Sequence, residues 1–492
     1  MRGQRSLVAL FLLGTVLFVA LDWMNVTFGK VSFDQIRFVY HSSLSGVDTT
    51  VVQTLAWRLG ALAALCLLFI AALRLLRPHA LARKLLWGGT VLYAAGALVS
   101  VCGTLGLASL APGRESALIG ERYVAPDTVA IAFPEKKRNL IIVLAESAEH
   151  TFNDRAHFPQ PVMPELAALA AEHVSFRGHV QVPGTQWTIA GITSFLFGVP
   201  LRLPLFNWND YSLFDTFLPG ADSILEVFSS EGYEVAMILG SDAAFSGKKN
   251  LFGVHAPKAR LLDLNHFRAV RGDVDANQGT GWGLTDAYLF DRAREFIASR
   301  ETGAPLLLIV ETVDTHAPDP FVAADDPRPF GDERDAFAAL SRNVDAFVAW
   351  MREQDMWADT TLVVLGDHQV MASRLADVEL TDIPREVYNV IINGAGPEPE
   401  AGTGRTFASF DLCPTILESV GVTLPGGRFG IGSSLYRAAP TLVEELGADA
   451  VVSELELYSP FYMNFYKAHG KTSLAGSRTT DHGAAPGTPE SL

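Results

Sequence analysis

The sequence predicts an α/β fold, a mainly parallel sheet flanked by helices, behind an N-terminal region of three membrane-spanning helices. Three observations predict it. The 492-residue chain is 49% hydrophobic, yet its long uncharged apolar runs lie before Pro112. From Asn139 onward, short β-branched runs alternate with segments of helical spacing, the pattern of a parallel sheet covered on both faces. One such run, Thr361-Leu-Val-Val-Leu, leads into Gly366-Asp367-His368. Its carboxyl end then presents an oxygen donor and a nitrogen donor where open α/β sheets hold their ligands. Read alone, that turn is either half of a divalent-metal site or a polar loop after a strand.

Three spans are expected in residues 1–112. Ser6–Leu21 is uncharged and follows Arg2 and Arg5; two further spans favour an uncleaved anchor over a signal peptide. Val51–Leu76 is the second, with Arg58 snorkelling from its start. Leu85–Leu110 is the third and carries no charge, long enough to cross about 30 Å of hydrocarbon. The loop between the last two holds Arg74, Arg77, Arg83 and Lys84. It therefore belongs in the cytoplasm with the N-terminus. Three spans place Asn25–Thr50 and everything after Pro112 outside the cytoplasm, at the outer face of the membrane.

A polar connector is expected over 113–138, a catalytic domain over 139–469, and a Gly-, Ser-, Thr- and Pro-rich disordered tail over 470–492. Strands are expected at Leu140–Ala145, Glu234–Leu239, Pro305–Val310, Thr361–Leu365 and Tyr388–Ile392. Helices are expected at Met163–His173, Ile189–Phe197, Ala287–Ala298 with Asp286 as cap, Asp332–Gln354 and Phe410–Val420. The formal charge of −16 argues against a nucleic-acid partner. Cys66, Cys102 and Cys413 are the only cysteines, and the first two lie in spans, so no disulfide framework or thiolate cluster can form.

Other strand ends also carry chemistry. Glu146 ends Leu140-Ile-Ile-Val-Leu-Ala-Glu, as a metal ligand or a capping acid. Gly184-Thr-Gln-Trp-Thr-Ile-Ala-Gly-Ile-Thr193 brings small and hydroxylic residues to a helix start, where backbone N–H groups and the dipole favour an anion. Thr185, Thr188 and Thr193 all offer a hydroxyl there. His316 follows the strand of Leu308-Ile-Val-Glu-Thr-Val-Asp-Thr-His, as a ligand-facing group or a packed loop histidine. Together these groups fit one phosphate-handling site with a hard metal.

With these residues the chain resembles the alkaline phosphatase/sulfatase superfamily. It is closest to the lipoteichoic acid synthase-like branch that includes phosphoglycerol transferase I of osmoregulated periplasmic glucan synthesis. The resemblance runs from about Asn139 to Gly432. It implies an alkaline phosphatase-like fold and a metal-dependent phosphotransferase with Thr188 as the nucleophile. Glu146, Thr188, Asp367 and His368 would hold one divalent metal, most often manganese, with magnesium or zinc also accepted. His316 would help hold glycerol phosphate, and Trp282 and Asp286 of Gly-Trp-Gly-Leu-Thr-Asp would line the pocket. The implied donor is phosphatidylglycerol from the lipid bilayer, the acceptor a glucan or other glycan hydroxyl, and diacylglycerol is released. The alternative is a phosphoethanolamine transferase acting on lipid A or a glycan; those enzymes carry several disulfides and more spans. Sulfatases proper need a Cys/Ser-x-Pro-x-Arg motif, which Cys413-Pro-Thr-Ile does not match.

Overall fold

The structure, a computed structural model, describes residues 2–28, 31–41, 49–76, 79–105, 114–203, 216–279 and 281–467. The tail expected over 470–492, Arg77 of the basic loop, and residues 106–110 of the third expected span lie outside the described residues.

Three N-terminal helices are long and apolar enough to cross a membrane: α1 (Arg2–Phe28), α3 (Thr49–Leu75) and α4 (Ala80–Thr104). α1 packs against both others. Phe11 stacks on Phe69 with ring centroids 3.8 Å apart. At Gly14 an added Cβ would lie 3.0 Å from the Ala94 Cα, so α1 and α4 cross closely, as small residues allow between helices in lipid. Arg58, near the start of α3, pairs with Asp22 of α1. Between α1 and α3 lies a short helix, α2 (Phe33–His41), which the sequence reading passed over.

The six-stranded sheet of the domain that follows them is formed by β1 (Asn139–Ala145), β2 (Glu234–Leu239), β3 (Arg260–Leu262), β4 (Leu306–Glu311), β5 (Thr360–Gly366) and β6 (Asn389–Ile392). Its order is β3-β2-β4-β1-β5-β6. All pairs are parallel except β5 with β6, which is antiparallel. β1, β4 and β5 are buried at nearly every position, which is why they read as unbroken apolar runs.

Alternate residues of each strand feed two separate cores. Leu140, Ile142 and Leu144 share one with α6 (Thr188–Phe197) and α9 (Leu412–Ser419). Ile141, Val143 and Ala145 share the other with α5 (Pro164–Glu172), α7 (Asp286–Ala298) and α8 (Arg334–Arg352). The period of two along a strand thus builds a sheet with helices on both faces.

Several expected boundaries shift for identifiable reasons. α8 starts at Arg334, not Asp332, because the Asp335 carboxylate accepts from the backbone N–H groups of Phe330 and Gly331 and fixes a turn there. Asp286 is not the cap of α7. Thr285 is, its hydroxyl accepting from Tyr288 N at 3.3 Å. β3 went unseen because it is three residues long with only its last one buried. Residues 114–138 bridge to the far end of the domain, pairing Val124 with Gly430 and Ala132 with Thr423, and bury Leu118 and Ile119 in the first core.

Candidate active site

In register, Leu144 of β1 faces Glu311 of β4, and Ala145 faces Gly366 of β5. The carboxyl ends of the three central strands therefore open together. Glu146, Asp367 and His368 meet there, all buried, with ligand atoms within 4.8 Å of one another.

Each is held by its backbone. Glu146 N donates to Thr312 Oγ1 at 2.9 Å, and Thr315 Oγ1 donates to the Glu146 carbonyl at 2.5 Å. The loop after β4 thus clamps the end of β1. Ser147, at φ 55°, is one of few non-glycine residues in the left-handed region, a strain that persists where surrounding contacts impose it. That conformation lets Ser147 N donate to Asp367 Oδ1 at 2.8 Å while its hydroxyl donates to Glu146 Oε1 at 2.7 Å. His368 N adds a second bond to Asp367 Oδ1 at 3.0 Å.

The histidine tautomer follows from its partner. His368 Nδ1 lies 2.8 Å from the Gln369 carbonyl, which can only accept, so Nδ1 carries the proton. Nε2 then turns its lone pair toward Asp367 Oδ2 at 3.3 Å and Glu146 Oε1 at 3.7 Å. Asp367 Oδ2 is buried and makes no hydrogen bond. Two carboxylate oxygens and the imidazole Nε2 converge there, their ligand atoms within 4.8 Å of one another. This is the donor set of a divalent cation, with the histidine oriented by its outer hydrogen bond.

Electrostatics follow the same crowding. Burial, then the Glu146 carboxylate, pushes Asp367 up to about 6. Burial opposes the charged form of His368, yet Asp367 and Glu146 outweigh it and raise the imidazole above its ordinary value.

The three candidate hydroxyls separate cleanly. Thr185 and Thr193 are fully buried, and their hydroxyls donate to the Val182 and Ile189 carbonyls at 2.8 and 2.7 Å. Thr188 is only partly buried, in the first turn of α6, with Oγ1 3.4 Å from both Glu146 Oε2 and His368 Nε2. α6 is pressed against the ligands: a Cβ on Gly191 would lie 2.1 Å from the Asp367 carbonyl oxygen.

His316 lies in the loop after β4, partly buried, its ring 4.1 Å from that of Trp282. Its Nδ1 donates to the Ala317 carbonyl at 2.6 Å, leaving Nε2 as an acceptor. Burial pulls its pKa down to about 4, so the ring is neutral. Trp282 is buried against Val313. Asp286, expected to line the pocket, is fully buried instead. Its Oδ1 accepts from Val313 N at 2.7 Å and Asp314 N at 3.2 Å, while Asp314 Oδ2 accepts from Asp286 N at 2.8 Å. It acts on the site by fixing the His316 loop.

Sequence reasoning missed two supports. Glu149, fully buried, accepts from Val370 N at 2.9 Å and from the Arg385 guanidinium, bracing the turn that carries Asp367 and His368. Lys248 and Glu311 form a buried ion pair at the end of β4. A charged residue closing an apolar strand was the signal for Glu311; nothing local marks Glu149.

A family model described as Sulfatase matches residues 138–422. Phosphoglycerol transferase I of Xanthomonas campestris pv. campestris (strain B100) is 31% identical over 310 residues, 61% of this chain and 43% of that protein. The protein of the same name from Salmonella paratyphi B is 29% identical over 314 residues, 62% of this chain and 40% of that protein. The chain therefore spans about two fifths of the length of these relatives. A crystal structure of a protein in the alkaline phosphatase superfamily from Vibrio parahaemolyticus superposes with a TM-score of 0.51 at 21% identity, covering 67% of this chain and 78% of that one.

Proposed function

Since the chain belongs to the sulfatase family, whose model covers more than half of it, we propose that it is a membrane-anchored phosphotransferase. The reaction moves glycerol phosphate from phosphatidylglycerol to a glycan hydroxyl, as on a periplasmic glucan, through a phospho-threonine at Thr188. The similarity to phosphoglycerol transferase I supports the donor. The observation that carries the mechanism is the partly exposed Thr188 hydroxyl, 3.4 Å from both Glu146 and His368 at a helix N-terminus.

In the first step Thr188 Oγ1 bonds to phosphorus as the bond from phosphorus to the diacylglycerol oxygen breaks. That oxygen takes a proton and leaves as diacylglycerol. In the second, an acceptor hydroxyl attacks the same phosphorus, the threonine–phosphorus bond breaks, and Thr188 regains its proton. Glu146 Oε2, 3.4 Å from Thr188 Oγ1, is the acceptor that faces that proton while His368 Nε2 is kept for a metal ion. The start of α6 favours the phosphoryl oxygens. His316, neutral with Nε2 open, suits a glycerol hydroxyl. Glu146, Thr188, Asp367 and His368 would hold one divalent ion, manganese by family resemblance. Such an ion lowers the hydroxyl pKa and neutralises charge growing on the phosphoryl oxygens.

The domain over 139–469 then works at the outer face of the inner membrane, held there by the three spans. Mass spectrometry of the Thr188 peptide after brief exposure to phosphatidylglycerol should show a glycerophosphoryl adduct, and Thr188→Ala should release no diacylglycerol. Wild-type turnover by the alanine variant sinks the nucleophile assignment. Labelled phosphatidylglycerol and phosphatidylethanolamine offered side by side separate glycerol phosphate transfer from phosphoethanolamine transfer.

A further inference from the structure

α1 ends at Phe28 and α3 begins at Thr49, so both ends meet the domain on one side, with α2 between them. α2 is seated on it: Asp34, Gln35, Arg37 and Phe38 are all buried. Asp34 pairs with Arg202 Nε at 3.3 Å, and Gln35 Nε2 lies 3.5 Å from Met371 Sδ, three residues beyond His368. Phe38 approaches Gly247, where an added Cβ would lie 3.4 Å from its ring.

Beside α2 an apolar wall runs from the helix ends to the site. Val51 at the start of α3 is buried with Trp282 and Val313, and the partly exposed Trp23, Phe28 and Phe245 pack against them. Trp23 meets Phe28 edge-on at 5.6 Å, Phe245 lies 5.8 Å from Trp282, and Trp282 lies 4.1 Å from His316. Val313 belongs to the loop that clamps Glu146 through Thr312 and Thr315. Aromatic rings at the end of a helix of spanning length sit where the headgroup region begins. The wall is thus apolar toward the bilayer and reaches phosphate-handling groups at its other end.

We propose that the partly exposed Trp23, Phe28 and Phe245, backed by the buried Val51, Trp282 and Val313, seat the diacylglycerol end of a phospholipid drawn directly from the adjoining leaflet, with the outer ends of α1 and α3 as part of the active site. This rests on the phosphotransferase reading and assigns residues to its donor. Continuity between helices able to cross a membrane and His316 favours a lipid over any water-soluble occupant.

The test uses the full chain in phosphatidylcholine vesicles holding a phosphatidylglycerol with a photoactivatable group near the acyl carbonyl. In the Thr188→Ala background, where turnover stops, the Trp282 and Phe245 peptides should be labelled along with Trp23–Phe28. Phe28→Ala, or Phe245→Ala as a second variant, should cut labelling of the Trp282 peptide about tenfold, the scale of losing one buried ring. Labelling confined to the middle of the spans, or unchanged in both variants, overturns the seat. Labelling at Trp282 without diacylglycerol release by the wild type keeps the seat and sinks the transfer reading. Release without labelling at Trp282 does the reverse.

Discussion

Gly191→Ala tests whether Thr188, the proposed nucleophile, is coupled to Glu146, Asp367 and His368, the proposed metal ligands. Gly191 lies three residues after Thr188 in α6, on the same helix face. A Cβ there would sit 2.1 Å from the Asp367 carbonyl oxygen and 3.0 Å from its carbon. Ordinary contact between such atoms begins near 3 Å, so the helix and the Asp367–His368 turn must part by about 1 Å. Neither side yields easily: α6 is buried from Ile189 to Phe197, and β5 throughout.

The separation acts directly on the 3.4 Å distances from Thr188 Oγ1 to His368 and Glu146. A misplacement of about 1 Å at reacting groups costs on the order of 100-fold in rate. The added methyl also overpacks the core, for about 1–3 kcal/mol of stability. The assay is diacylglycerol release at saturating manganese, with thermal unfolding alongside. Gly303→Ala, where an added Cβ meets nothing within 4 Å, is the control and should match wild type. Release by Gly191→Ala within about threefold of wild type, with unchanged melting, refutes the coupling.

Other outcomes follow from the same geometry. Glu149→Gln breaks a buried ion pair and should cost about 3–5 kcal/mol in chemical denaturation, with turnover falling as the Asp367–His368 turn loosens; unchanged stability refutes the brace. His150 and His179 are both held near pKa 3, first by burial. Each is neutral in the fold but protonates near 6.5 when unfolded, so its contribution is full above that pH and is lost as pH falls toward 3. By linkage each loses about 2 kcal/mol between pH 7 and 5. His179→Gln should therefore show a smaller acid loss than wild type, and equal losses count against the assignment. Chelation should lower the melting temperature and manganese restore it, by up to about 4 kcal/mol at a thousandfold excess over the dissociation constant; no shift argues against the metal site.

Parts of this protein differ in how far sequence reveals them. β1, β4 and β5 were legible because burial on both faces leaves an unbroken apolar run, and Glu146 and Asp367-His368 because polar groups end such runs. The choice of Thr188 over Thr185 and Thr193 rested on family resemblance, since three hydroxyls near one helix start look alike in sequence. Only folding shows two of them spent on carbonyls. Gly191 and Glu149 were invisible because what they touch, the Asp367 carbonyl and Arg385, lies far away in sequence. α2 was passed over because its buried face includes Asp34, Gln35 and Arg37, which read as a polar loop until Arg202 and Met371 meet them.

Charge at the sheet's carboxyl edge gives a reason for a cation that does not depend on family. Glu146, Asp367, Glu311, Asp286 and Asp314 are all buried there. Asp286 is raised to about 7, first by burial, and Asp314 is raised by burial and then by Asp286. These two spend oxygens on each other's backbone N–H groups. Glu311, also raised by burial, has Lys248 against it. Glu146 and Asp367 share only His368, whose imidazole pKa they raise, so even its protonated form leaves one negative charge unbalanced. Buried carboxylates without a counter-charge cost several kcal/mol each. Protonating Asp367 would relieve the excess but remove a ligand oxygen. A divalent ion held by Glu146, Asp367 and His368 would balance the charge without a proton, and Thr188 Oγ1 lies 3.4 Å from both Glu146 Oε2 and His368 Nε2. The excess of buried negative charge is therefore the same feature that would place a cation beside Thr188.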